Sequence, residues 1–136
     1  VGNPSLFVAI FQPRSGNFQH WALHLHTDQE DLIFEVDGEH PSFTKVTSPA
    51  KPTDSNSLIE SLWVGEIGIP DIATLKQIVD GARVDNETLE WDCQEYVLKI
   101  LEACEREAIL EEEDLDFAET KQILKSRSGQ YCEILA

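Results

Sequence analysis

The sequence predicts an α+β domain, and three observations carry that reading. Short apolar or alternating runs fill the first half of the chain, apolar residues at helical spacing fill the second, and two of the early runs are placed to form a hairpin. Strands followed by helices, rather than alternating with them, place helices against an antiparallel sheet. The 136 residues suit a single domain over 1–136, since domains cluster near roughly 100–150 residues and such a chain buries one core.

Ser5 to Gln12, SLFVAIFQ, is a continuous apolar run closed by Pro13 and the turn residues Arg14-Ser15-Gly16-Asn17, which reads as a buried strand. Phe18 to His26 alternates. His20, Ala22, His24 and His26 fall on one face, and Trp21, Leu23 and Leu25 on the other. A polar loop from Thr27 to Asp31 leads into Leu32 to Val36, completing the hairpin, with Ile33, Glu35 and Asp37 on a common face. Pro41 to Ser57, rich in Ser, Thr, Pro and Lys, reads as loop or frayed edge strand. Leu58 to Gly68 returns to strand.

Pro70-Asp71 suits a helix start, and Ile72, Leu75, Ile78 and Val79 recur at helical spacing until Gly81. The strongest helix opens at Asp92-Cys93-Gln94-Glu95. Asp92 is a good N-cap, and Cys93, Val97, Leu101, Cys104 and Ala108 form the expected buried stripe. An acidic run from Glu111 to Asp114 separates it from a last helix containing Phe117, Ile123 and Leu124.

Twenty-six acidic residues against ten Lys and Arg give a formal net charge of −16. Such a surface repels phosphate backbones and anionic headgroups, so nucleic-acid and membrane-surface binding are disfavoured. A small-molecule or peptide substrate, or a basic protein partner, fits better. No apolar run reaches the roughly 20 residues needed to span a bilayer. The chain begins at Val1 and holds no methionine, as expected if a native start and any targeting segment have been removed. The cysteines Cys93, Cys104 and Cys132 are odd in number and show no paired spacing. That argues against a disulfide framework or thiolate zinc cage and for a reducing, cytoplasmic setting.

Cys93 stands where a thiol can be activated. At a helix N-terminus, unpaired backbone N–H groups and the positive end of the macrodipole favour a thiolate and can hold a developing oxyanion. A histidine in reach would take the thiol proton. Strand parity leaves His20, His24 and His26 equivalent for that role. Glu35 shares their face and could fix the ring, with Asp37 as the alternative.

The segment His20-Trp21-Ala22-Leu23, followed by Ile33-Phe34-Glu35-Val36 and later by Asp92-Cys93-Gln94-Glu95-Tyr96-Val97, resembles the circularly permuted papain-like proteins. These include the lecithin retinol acyltransferase-like and NlpC-like groups, in which a histidine strand precedes the cysteine helix. The likeness extends from Leu6 to about Glu105 and rests on two short motifs and the element order. It implies a cysteine hydrolase or acyltransferase without a cofactor, with Cys93 as nucleophile, His20 as base and Glu35 as orienter, where relatives often carry a second histidine. Asp92 replaces the Asn that precedes the cysteine in those relatives, and its charge would raise the thiol pKa. Membrane-associating segments of the acyltransferase members have no counterpart here, so lipid acyl transfer is not carried over.

Plainer readings stand beside this one. Cys93 lies on an apolar stripe and could be a core residue, as Cys104 and Cys132 are expected to be. Trp21 and Trp91 could wall a pocket or fill the core. His40, beside Pro41, is expected to be solvated. His24, His26 and Glu30 have the spacing of a cupin-type metal site, although the helical second half does not suit a jelly roll. A catalytically inactive papain-like domain that binds through its acidic surface is the third functional class.

Overall fold

A computed structural model describes residues 3–14, 18–88, 91–111 and 113–128. The turn residues Ser15 to Asn17, Glu112 of the acidic run and Cys132 lie outside them. Five strands form one antiparallel sheet: β1 (Ser5–Phe11), β2 (His20–His26), β3 (Asp31–Asp37), β4 (Thr44–Ser48) and β5 (Leu58–Glu66), in the order β4-β3-β2-β1-β5. Three helices follow: α1 (Asp71–Gly81), α2 (Cys93–Arg106) and α3 (Leu115–Arg127). The chain is therefore α+β, with strands first and helices after.

β1 reads as an unbroken apolar run because both of its faces are covered. Leu6, Val8 and Ile10 join Trp21, Leu23, Leu25, Phe34 and Val36 in the main core beneath the helices. Ala9 and Phe11 meet Ala22 and Ile33 on the opposite face, under Ala50 and Leu58. α2 packs on β2 and β3, α3 on β5, and α1 on α2. No helix among the described residues is long and apolar enough to cross a membrane.

Of the two alternatives for Pro41–Ser57, loop or edge strand, the structure shows an edge strand, β4, paired along β3 from Ile33–Ser48 to Asp37–Thr44. Two details differ from the sequence reading. Asp31 belongs to β3, opposite His26, rather than to the loop. Ala108 lies beyond α2, exposed and in the left-handed region at φ 59°. The N–H groups of Ile109 and Leu110 turn back to the Cys104 carbonyl, and both side chains enter the core. The reversal replaces one further turn of stripe with two larger apolar side chains.

Candidate active site

Asp92 caps α2 as expected: its Oδ1 accepts from the N–H groups of Gln94 (3.0 Å) and Glu95 (3.3 Å). The cap fixes the first turn of the helix against the start of β2. The register of β2 with β3 runs from His26–Asp31 to Leu23–Phe34. Beyond it, the Gln19 carbonyl turns to α2, accepting from Gln94 Nε2 at 3.0 Å and from the Cys93 thiol at 3.8 Å. The Trp21 N–H also faces the Cys93 sulfur. The thiol therefore sits on the main-chain groups that flank His20. Gln94, almost fully buried, is the clamp that the sequence reading missed; its polar side chain at the second helical position was the available signal.

His20 opens β2 opposite Phe11 and is buried on the sheet face away from Trp21. Its Nε2 lies 2.7 Å from Glu35 Oε1. The same oxygen accepts from Arg14 Nη1 at 2.6 Å, and Arg14 also reaches Asp37 Oδ1 at 3.2 Å. A neutral ring that donates from Nε2 to a carboxylate keeps Nδ1 as its acceptor. Nδ1 makes no hydrogen bond among the described residues. Glu35 is thus the partner of the ring, whereas Asp37 is exposed and bonded to Arg14 instead.

The electrostatics of the group divide at the strand. Burial acts upward on Glu35, but the His20 hydrogen bond and charge, with the Arg14 guanidinium, outweigh it and leave the carboxyl below its usual range. Burial pushes the Cys93 thiol up to about 12, helped by the Asp92 charge and opposed by the N–H groups of Trp21 and Cys93 itself. Burial likewise raises Asp92 despite its two backbone hydrogen bonds. The resting thiol is neutral, and its hydrogen bond runs to Gln19 rather than to the His20 ring. Cys93 takes its expected core position at the start of α2, while the His20 ring lies on the opposite face of the sheet, so the two meet only through the main chain of β2.

Asp92→Asn separates the two roles of that residue. It keeps an acceptor for the α2 N–H groups, so stability should move by only a few tenths of a kcal/mol, whereas Asp92→Ala should cost about 1 kcal/mol. Removing the carboxylate charge should lower the thiol pKa, read from ultraviolet thiolate absorbance. An unmoved titration would mean that burial alone sets it.

The other predicted residues are distributed as follows. Trp21 is wholly in the core, whereas Trp91, half-buried, packs edge-on against Phe43 and Tyr96 and lines a cleft between α1 and α2. Cys104 is fully buried in the core as expected. His40 is half-buried, with Nδ1 enclosed, rather than solvated. Glu30 faces Lys76 at 3.9 Å and does not join His24 and His26. Asp31 does: its Oδ1 lies 2.8 Å from both His24 Nε2 and His26 Nδ1. Its opposition to His26 across the register gives it that place. The cleft between α1 and α2, of about 650 Å³ and lined also by Ile78, Ile100 and Ala103, is separate from both groups.

In comparisons with protein-family models, with curated proteins and with solved structures, the chain matches none.

Proposed function

We propose that the chain is a thiol-dependent hydrolase or acyltransferase of circularly permuted papain-like architecture, acting on an amide, ester or thioester. The observation that carries this reading is a histidine ring, that of His20, held through Nε2 by a buried carboxylate on the same stretch of β2 whose main chain, on both sides of that residue, contacts the thiol at a helix N-terminus. The order of histidine strand before cysteine helix supports it.

In the proposed reaction the Cys93 sulfur attacks the carbonyl carbon and its proton is taken by His20, a step that requires the ring to come within reach of the thiol when substrate binds. A neutral resting thiol makes this general-base attack rather than reaction of a preformed ion pair. The Cys93 N–H, the one N–H of the first turn of α2 that Asp92 does not engage, is placed to stabilise the oxyanion. His20 then returns the proton to the departing amine, alcohol or thiol, leaving a thioester on Cys93. Water or another nucleophile, deprotonated by His20, releases the acyl group and restores the thiol. Glu35 keeps the ring oriented and offsets its charge while protonated.

The buried thiol favours one other reading, a non-catalytic domain of the same architecture that meets a basic partner through its acidic surface. Alkylation by iodoacetamide, followed by mass spectrometry of the Cys93 peptide from neutral to alkaline pH, separates them. The catalytic reading expects Cys93 to react at least about 100-fold faster in the intact protein than in His20→Ala. Equal rates with a thiol titration unaffected by His20 would overturn the pair, and complete inertness would leave the binding domain.

A further inference from the structure

We propose that His24, His26 and Asp31 form a binding site for one zinc-class divalent ion, distinct from the Cys93–His20–Glu35 group. His24 and His26 stand two residues apart on β2 and so project from the same face of the sheet. Asp31 stands directly across from His26 at the first position of β3. Their donor atoms, His24 Nε2, His26 Nδ1 and one Asp31 oxygen, all lie within 4.8 Å of one another.

The convergence is specific. Both rings aim at the same oxygen, Asp31 Oδ1, each at 2.8 Å. Donor atoms of a tetrahedral zinc site stand about 3.3 Å apart, given metal–ligand distances of about 2.0–2.1 Å, so opening each histidine–Asp31 pair by about half an ångström brings it to that spacing. On binding, each nitrogen now bonded to Asp31 gives up its proton. A neutral ring takes it up on the opposite nitrogen, and a protonated ring releases one proton to solvent.

The surroundings suit a held ligand set with one open side. His24 is buried and stacks on Phe7 at 5.4 Å, and Phe7 packs edge-on against Trp63. That aromatic column limits rotation of the His24 ring. The Asp31 side chain is 11% exposed and the His26 side chain 51%, leaving a solvent approach for a fourth ligand such as water. Two imidazoles and a carboxylate favour zinc and its first-row neighbours over magnesium or calcium, which prefer oxygen ligands. The net charge of −16 favours approach of a cation.

The test is calorimetric titration of chelator-treated full chain with Zn²⁺, repeated with Co²⁺ under an absorption readout and with excess Mg²⁺ present. One Zn²⁺ per chain is expected, undisturbed by Mg²⁺, with a tetrahedral Co²⁺ spectrum lacking a thiolate charge-transfer band. His26→Gln alters an exposed ring and Asp31→Asn is nearly isosteric, so both should fold, as circular dichroism would verify. Each should weaken Zn²⁺ binding by more than the roughly 10–100-fold that loss of an outer-shell partner costs. Cys93→Ser should bind Zn²⁺ as the intact chain does, which keeps this outcome separate from that of the thiol reading. No binding by the intact chain, unchanged affinity in both hairpin variants, or loss in Cys93→Ser would overturn the site.

Discussion

Glu35→Ala is expected to lower the unfolding free energy at neutral pH by about 3 kcal/mol, the scale for removing one partner of a buried charged pair. One Glu35 oxygen accepts from both His20 and Arg14; truncation strands the His20 donor, whose ring is almost fully buried, while Arg14 keeps Asp37 and solvent. The effect depends on pH. The folded carboxyl is held below its ordinary value of 4.5, so its stabilisation is fully present above that value and is lost as pH falls through the folded pKa. In denaturant unfolding, the gap between intact protein and variant should therefore close in acid. A gap that persists unchanged there would show that it came from packing rather than charge.

Glu35→Gln should retain most of the geometry while weakening support for a protonated ring. Asp37→Asn, at an exposed residue bonded among the described residues only to Arg14, should change stability by no more than about 0.5 kcal/mol. If the two variants rank in the reverse order, Asp37 rather than Glu35 holds the ring.

Trp21→Ala should destabilise the chain by about 3–5 kcal/mol, the range for removing a large buried aromatic. Trp21 is fully buried in the main core beneath α2. Its indole Nε1 is buried without a hydrogen-bond partner among the described residues, so Trp21→Phe sheds a costly N–H along with some volume. That variant should cost about 1–2 kcal/mol. Both retain the Trp21 main-chain N–H that faces the Cys93 sulfur, so the ratio of Cys93 alkylation between His20-bearing and His20→Ala proteins should survive. A Trp21→Ala cost below about 1 kcal/mol would remove the contact between β2 and α2 as a principal source of stability.

The residues differ in how far their positions could be read from their neighbours in sequence. Trp21, Leu23 and Leu25 were separable from His20, His24 and His26 because the side chains of a strand alternate, whatever packs on them. Asp92 was legible as a cap because the unpaired N–H groups of a helix start need a nearby acceptor. The role of Ala108 was misread because a helical stripe carries no mark of where it ends when the left-handed residue is not glycine. Gln94 was missed because its partner, the Gln19 carbonyl, lies 75 residues away in the chain.

The sequence by itself determined the strand and helix elements, the two faces of β2 and the placing of Cys93 behind an N-cap. These follow from short-range geometry: the pleat, the helical turn and the unsatisfied groups of a helix end. Only the tertiary structure decided which histidine meets which carboxylate, pairing His20 with Glu35 and both His24 and His26 with Asp31 rather than Glu30. It also decided that the Cys93 thiol rests neutral. Register is set by which strands pair, and a thiol's pKa by what excludes water from it, so neither is contained in local spacing.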